Sequence, residues 1–192
     1  MIVEKDIERL FAKQLAKIGS ADLRSKVVRT FVLACGRGRW ETLEDLAKMP
    51  FTLLTDARGV SFVEHTIAVT EGAAALGRAQ AEAYARMPYA IDFDRLYAGG
   101  LLHDVGKLLE IEPDGQGGFR KSLAGKHARH PVSGAILASE CGLPGGVVNI
   151  IVCHAKEGEG RPQVVEAVFV HQADFATFDP LVMKQKGTLI ED

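Results

Sequence analysis

Apolar side chains in the first sixty residues recur every three or four positions, with lysine and glutamate between them. This spacing places the apolar side chains on one face of a helix. It predicts a first helix that ends at Gly19, a second that Ser20 caps, and a short helix through Leu43 and Leu46. Residues 36–40, between the last two helices, predict a break with an anchoring tryptophan at its end.

The same spacing predicts five further helices in the rest of the chain. They begin near residue 61, run from about 93 to 111, begin at residue 130, follow residue 146, and run from about 162 to 178. The long polar segment that starts at Pro113 is a candidate lid or pocket rim, or else a mobile hairpin. No segment alternates convincingly with the period of a strand, so the predicted fold class is all-α.

Composition narrows the class of protein. The chain has 192 residues, and its 47% hydrophobic and 25% charged residues are ordinary for one soluble globular domain. A net charge of −2 argues against a nucleic-acid polymer as partner. No apolar run is long enough for a bilayer and the N-terminus is charged unlike a signal peptide, so we expect a cytoplasmic protein with no membrane partner. The three cysteines lack CxxC spacing and predict neither disulfides nor a cysteine zinc site.

Histidine and aspartate side chains occupy several positions that the helical pattern turns inward. They are His65, His103, Asp104, His130, His154 and Asp174. One inward histidine is usually a hydrogen-bonded core residue, and Asp174 has a candidate partner in His171, one turn earlier. Six such groups would each need a buried partner, whereas metal ions satisfy them together. Histidine and carboxylate ligands without cysteine suit one or two divalent ions of Fe, Mn, Co, Ni or Zn, with Mg less favoured.

Small residues and a lysine flank the histidine–aspartate pair. Residues 98–100, Ala-Gly-Gly, predict the close approach of a neighbouring helix one turn before the pair. Lys107 lies one turn after His103 on nearly the same face. It is either the ion-pair partner of the aspartate or a point charge for a phosphate oxygen.

The order of these residues, H…HD…H…H…D, resembles that of the HD-domain superfamily of metal-dependent phosphohydrolases over roughly residues 60–180. The context HDVGK around Asp104 and the sequence HPVSGAIL from His130 resemble the same superfamily. The resemblance implies an HD-domain helical bundle. We place this domain at residues 56–192, with residues 1–55 as an N-terminal helical extension packed on the core.

The resemblance also implies a ligand set. The first metal is expected on His65, His103, Asp104 and Asp174. His130 and His154 resemble the extra ligands of the two-metal members, in which the aspartate of the HD pair bridges both ions. Ala155 and the sequence GEGRP stand where the cyclic-di-GMP phosphodiesterase branch has a second histidine and a GYP signature, so that branch is not supported. The GRP tripeptide looks more like small bacterial HD hydrolases of dinucleoside polyphosphates.

The expected reaction is the hydrolysis of a phosphodiester or phosphomonoester by a metal-activated hydroxide. Asp104 and Lys107 are the predicted catalytic residues, and Lys107 would also neutralise the transferred phosphoryl group. Further substrate contacts are expected from basic residues that flank the ligands in sequence, namely Lys126, His127, Arg129, Lys156 and Arg161. The expected partner is a nucleotide or another small-molecule phosphate ester, and a homodimer is a candidate assembly.

Two alternatives use the same fold. Some HD-fold proteins resemble this chain in ligand order but are mixed-valent di-iron oxygenases that act on polyols or phosphonates. Spacing alone does not separate them from hydrolases. A non-catalytic signalling domain is the third hypothesis, and the complete ligand set argues against it.

Overall fold

Helices account for almost all regular structure in residues 1–156 and 161–191, the part of the chain that the computed structural model describes. The elements in chain order are α1 (Glu4–Leu10), α2 (Ala12–Leu15), α3 (Ala21–Gly38), α4 (Leu43–Lys48), α5 (Phe62–Ala83), α6 (Phe93–Leu102), α7 (Lys107–Glu110), β1 (Ile111–Pro113), β2 (Phe119–Lys121), α8 (Leu123–His127), α9 (His130–Glu140), α10 (Gly145–Cys153) and α11 (Val165–Lys186). The all-α prediction is confirmed. Most of the GEGRP sequence lies outside the described residues.

Hydroxyl caps fix the start of the two longest predicted helices in the first half of the chain. The Ser20 hydroxyl accepts a hydrogen bond from the Leu23 N–H at 3.2 Å and starts α3. The Ser61 hydroxyl accepts one from the Glu64 N–H at 3.2 Å and starts α5. Each bond satisfies an N–H that has no partner inside the helix, so both predicted starts are confirmed.

The predicted helix 93–111 is interrupted at the histidine–aspartate pair. Helix α6 ends at Leu102, the backbone turns through residues 103–106, and α7 begins at Lys107. A Cβ atom at Gly106 would lie 2.1 Å from the carbonyl oxygen of His130. The turn therefore brings its backbone directly against the first turn of α9, an approach that only glycine permits.

The polar segment after α7 forms a short hairpin. Strand β1 pairs antiparallel with β2, and Ile111 lies opposite Lys121. The Asp114 carboxylate accepts hydrogen bonds from the N–H groups of Gln116 at 2.7 Å and Gly118 at 2.9 Å. Strands this short carry no strand-period pattern in the sequence, because an aspartate-stabilised turn rather than alternation fixes the pairing.

Three other boundaries differ from the prediction. The first helix is divided at Phe11 into α1 and α2. Helix α3 continues through the predicted break to Gly38 and ends at Arg39, whose φ is 61°. Helix α11 starts three residues later than predicted and continues past Pro180. Glycine disfavours a helix interior by only about 1 kcal/mol, and α3 offsets this cost by packing against α6, α7 and α9.

Close helix packing surrounds the centre of the fold. Helix α5 packs against α6 and α11, and α10 packs against α6. A Cβ atom at Gly99 would lie 2.3 Å from Ile150 of α10, and one at Gly100 would lie 3.0 Å from Cα of Thr70 on α5. The prediction that these small residues allow neighbouring helices to approach is confirmed.

The N-terminal helices share the hydrophobic core with the later ones. Ile7, Phe11 and Phe31 are fully buried in the same cluster as the core residues of α5 and α6. Trp40 is buried, and its indole N–H donates to the carbonyl oxygen of Leu108 at 2.7 Å, which confirms its predicted anchoring role. Among the described residues, no helix combines the length and the apolar character that crossing a membrane requires.

Candidate metal centre

The fold brings the six predicted ligands together from four helices and one turn. The ligands are His65 on α5, His103 and Asp104 in the turn after α6, His130 at the start of α9, His154 directly after α10, and Asp174 on α11. All the histidines and Asp104 are buried, whereas the Asp174 side chain is 16% exposed. The inward orientation predicted from helical spacing is therefore observed at all six positions.

Asp104 lies between two pairs of histidines. Its Oδ2 atom is 3.2 Å from Nε2 of His65 and 3.3 Å from Nε2 of His103. Its Oδ1 atom is 3.3 Å from Nε2 of His130 and 3.4 Å from Nε2 of His154. The carboxylate therefore belongs to two groups of three ligand atoms, and within each group the atoms lie within 4.8 Å of one another.

Asp174 joins the group that contains His65. Its Oδ1 atom lies 3.2 Å from Nε2 of His65. Burial opposes the ionisation of Asp174, but the hydrogen bond with His65 and the nearby His103 and His154 together lower the pKa of the carboxyl to about 2. His171 instead places Nδ1 2.7 Å from the carbonyl oxygen of His154. The alternative in which His171 is the partner of Asp174 is wrong.

Backbone carbonyls orient two of the imidazoles. Nδ1 of His103 lies 2.6 Å from the carbonyl oxygen of Gly100, and Nδ1 of His154 lies 2.7 Å from that of Ile151. A carbonyl only accepts, so each Nδ1 carries the proton and each Nε2 presents a lone pair to the centre. This is the tautomer that a metal ligand requires.

Side chains orient the other two imidazoles, and sequence reasoning missed both. The Thr177 hydroxyl on α11 lies 3.2 Å from Nδ1 of His65. Glu110, the last residue of α7, places Oε2 3.0 Å from Nδ1 of His130 and accepts the His130 backbone N–H at 2.7 Å. Thr177 one turn beyond Asp174, and a carboxylate in the otherwise apolar run 108–111, were the signals available in the sequence.

Glu110 and Asp104 are both held ionised in buried surroundings. Burial opposes the ionisation of Glu110, but hydrogen bonds from His130 and the positive charge of Arg129 lower the pKa of the carboxyl to about 2. Burial likewise opposes the ionisation of Asp104, but Lys107, with Nζ 2.5 Å from Oδ2, and His103 hold its pKa well below the usual range. These shifts keep both carboxylates in the charged form.

The residues fit a pair of divalent ions. Oδ1 of Asp104 is buried, and no donor among the described residues hydrogen-bonds to it. Burial lowers the pKa of His130 against the opposing effect of Glu110, and the neutral imidazole is the form that binds metal. An anionic oxygen without a donor, faced by neutral imidazole nitrogens, needs a cation between them. The two groups could therefore hold one ion each, with Asp104 shared.

A cavity of about 760 Å³ opens beside the centre. Its described lining includes the ligands His130 and Asp174, the cationic side chains Lys107, Lys121, Arg129 and Lys156, and the apolar side chains Phe51, Leu53, Leu54, Ile111, Phe175 and Phe178. Of the predicted substrate residues, Lys107, Arg129 and Lys156 line it, and Lys121 of the hairpin was missed. The predicted contacts Lys126, His127 and Arg161 are exposed and do not belong to the described lining. The hairpin is part of the pocket rim, which is one of the roles predicted for this segment.

The segment before α5 covers one side of the centre. An antiparallel bridge between Pro50 and Ser61 holds this segment beside the start of α5. The Phe51 ring then stacks on the imidazole of His65, with centroids 4.2 Å apart, and Nζ of Lys107 lies 5.6 Å from the Phe51 centroid. An apolar cover of this kind excludes water from the ligands and strengthens the electrostatic interactions beneath it.

Comparison with known proteins finds several relatives named Ribonuclease Y. Ribonuclease Y of Pseudothermotoga lettingae is 27% identical over 168 residues, which cover 88% of this chain and 28% of that protein. Ribonuclease Y of Thermosipho melanesiensis matches with the same figures. Ribonuclease Y of Thermotoga maritima is 33% identical over 91 residues, 47% of this chain and 15% of that protein. The chain thus spans less than a third of the length of these relatives, and no solved structure gives a significant match.

A family profile covers more than half of the chain. The profile described as HD domain matches residues 62–176, which include all six ligands and both sides of the hairpin. The histidine–aspartate pair at 103–104 lies within the match, and Asp104 belongs to both ligand groups. The chain therefore belongs to the HD-domain family.

Proposed function

We propose that this protein is a metal-dependent phosphohydrolase that hydrolyses a nucleotide or a related small phosphate ester. The observation that carries the proposal is that two ligand groups share Asp104 at the base of a cavity lined by four cationic side chains. Paired metal ligands next to a cationic pocket suit phosphate esters, because the substrate is anionic and the reaction builds up charge on its oxygens.

The ligand groups define what the metal would contribute. His65, His103 and Asp174 with one carboxylate oxygen of Asp104 would hold the first ion. The other oxygen of Asp104 would hold the second ion with His130 and His154. Two ions of Fe, Mn, Co, Ni or Zn would polarise the phosphate ester and lower the pKa of a water molecule toward neutrality.

The cationic side chains of the cavity bind and orient the substrate. Lys107 lies between Asp104 and the cavity, and its side chain is 14% exposed, so it presents its ammonium group to a phosphoryl oxygen at the centre. Arg129 and Lys156 lie on the rim, where they would bind further phosphate oxygens. The resulting attraction holds the phosphorus atom over the ligand groups.

The apolar wall suits a nucleobase. Phe175 and Phe178 lie one turn apart on α11 and face the same cavity as Leu53. A base stacks on aromatic rings whatever its hydrogen-bonding pattern, and a volume of about 760 Å³ falls in the usual range for a small-molecule site. Phosphate groups and a base would then occupy the same pocket.

The Phe178→Ala variant tests the apolar wall. We expect kcat/KM for a nucleotide ester to fall by about tenfold, since base–aromatic stacking contributes about 1–3 kcal/mol. Hydrolysis of a glycerol phosphate ester, which has no base, should change little. Val168→Ala, on an exposed part of the same helix outside the cavity, is the control. Equal losses for both substrates in Phe178→Ala would contradict the assignment.

A second candidate substrate is RNA, favoured by the name Ribonuclease Y that the relatives carry. The end of an RNA strand presents the same chemistry as a small nucleotide, namely a phosphodiester beside a base. The net charge of −2 and the cavity volume of about 760 Å³ favour the small nucleotide. The absence of a nucleic-acid partner stays a prediction, as do the homodimer and the domain boundary at residue 55.

Metal removal and restoration test the reaction. The protein is purified without chelator, its metals are measured by elemental analysis, and hydrolysis is assayed without oxygen on mononucleotides, dinucleotides and a short oligoribonucleotide. We expect about two ions per chain, and activity that a chelator abolishes and Mn²⁺ or Fe²⁺ restores. Preference for the oligoribonucleotide would select the RNA alternative. Turnover of a polyol or phosphonate only with oxygen would overturn the hydrolase in favour of the oxygenase.

A further inference from the structure

We propose that Glu110 is a positioning residue that makes metal binding at His130 and His154 respond to an anion on the cavity rim. Its two carboxylate oxygens face different partners. Oε2 accepts from His130, while Oε1 lies 3.3 Å from Nζ of Lys121 and 3.1 Å from Nε of Arg129. One carboxylate therefore contacts both a metal ligand and two cations of the substrate cavity. The proposal deepens the proposed function and rests on it for the identity of the anion.

His130 differs from the other three histidines in the group that orients it. Nδ1 of His103 and Nδ1 of His154 each contact a backbone carbonyl oxygen of the preceding helix, and Nδ1 of His65 contacts a hydroxyl. Among the four, only His130 has a charged group, the Glu110 carboxylate, at its Nδ1 atom. A carboxylate raises the basicity of the imidazole that donates to it, so the donor strength of Nε2 at His130 depends on the charge left on Glu110.

The hairpin fixes the position of Glu110 relative to Lys121. The carbonyl oxygen of Glu110 accepts the Ser122 N–H at 2.8 Å. A Cβ atom at Gly125 would lie 2.7 Å from Cα of Glu110, so α8 packs directly on this residue. These contacts hold the backbone of Glu110, and its carboxylate bridges the hairpin to α9.

A bound anion changes what Glu110 contacts. Lys121 and Arg129 line the cavity, and a phosphate there attracts both cations away from Oε1. Glu110 then interacts mainly with His130, and the imidazole becomes the stronger metal ligand. Because coupling between two binding sites is reciprocal, metal at His130 and His154 also raises the affinity for the anion.

Metal titration in the presence and absence of inorganic phosphate tests the proposal. The chelator-treated protein is titrated with Mn²⁺ by calorimetry, a readout that does not require hydrolysis. We expect Glu110→Gln to lower the affinity for one of the two ions by about 10–100-fold and to leave the affinity for the other unchanged. This is the usual effect of removing a carboxylate that accepts a hydrogen bond from a histidine ligand. Phosphate should increase the affinity for this ion in the wild type, and the factor of that increase should be at least about fivefold smaller in Glu110→Gln.

Glu112→Gln is the matched control. This carboxylate lies in the same hairpin, pairs with Arg120 at 2.9 Å, and contacts no metal ligand among the described residues. The Glu112→Gln variant should bind both ions, and respond to phosphate, as the wild type does. Glu110→Gln with two wild-type affinities would overturn the proposal. Phosphoester hydrolysis is measured separately, so an inactive protein that shows the selective loss would refute the proposed function while supporting the role of Glu110.

Lys121→Gln keeps the test decisive if Glu110→Gln does not fold. Lys121 has a side chain that is 37% exposed, and the substitution leaves the contact between Glu110 and His130 in place. We expect both ions to bind at least as tightly as in the wild type, with a smaller effect of phosphate on the second ion. An unchanged effect of phosphate in Lys121→Gln would overturn the coupling.

Discussion

Replacing Asp104 by asparagine is expected to remove both metal ions and to lower phosphoester hydrolysis by about 10³-fold or more. The carboxylate faces two histidines with each oxygen, so no other residue among the described ones can take its place. An asparagine has only one side-chain oxygen. Its NH₂ group would face the other pair of histidines, and this group repels a cation. A loss of this size is usual when a preorganised charged group is removed from a catalytic centre.

Thermal unfolding separates this effect from misfolding. Wild-type protein should unfold at a higher temperature when Mn²⁺ is added, because an ion at a hundredfold excess over its Kd stabilises the folded state by about 2.7 kcal/mol. Asp104→Asn should fold but show no such increase. Asp179→Asn, an exposed aspartate on the same helix as Asp174, should behave as the wild type does. Metal stabilisation that persists in Asp104→Asn would contradict the assignment of Asp104 as the shared ligand.

The ligand set could be predicted from sequence because each ligand lies on or beside a regular amphipathic helix. Helical spacing alone turns His65 and Asp174 inward, and the all-helical pattern then requires the inward faces to meet. The adjacent pair at 103–104 was placed correctly even though the helix around it was not continuous. Helical periodicity therefore identifies directly the polar side chains that converge on one core.

The residues that surround the ligands could not be predicted in the same way. Glu110 faces His130 only because α7 ends at this residue and the hairpin folds back on it. Phe51 reaches His65 through a bridge between Pro50 and Ser61, which no local pattern encodes. Contacts of this kind depend on tertiary pairing of irregular segments, and flanking charge alone did not distinguish Arg129, which lines the cavity, from His127, which does not.

The turn after α6 makes Gly106 the backbone position on which the second ligand group depends. We expect Gly106→Ala to lower the free energy of unfolding by about 3 kcal/mol, at the upper end of the usual cost of overpacking. The added methyl group would lie 2.1 Å from the carbonyl oxygen of His130 and 2.7 Å from the backbone nitrogen of Gly134. Both atoms belong to the backbone of α9, so no change of side-chain rotamer relieves the contact.

Relief requires α9 to move away from the turn, and His130 is the first residue of α9. Gly106→Ala should therefore weaken the ion at His130 and His154 more than the ion at His65 and His103, measured by Mn²⁺ titration together with urea unfolding. Gly36→Ala, in α3 with no atom within 4 Å of the added carbon, should instead stabilise the protein by about 0.5–1 kcal/mol. Equal stability of the two variants would mean that the approach of the turn to α9 is not required. A selective loss at His130 would show that one glycine sets the distance between the two ligand groups.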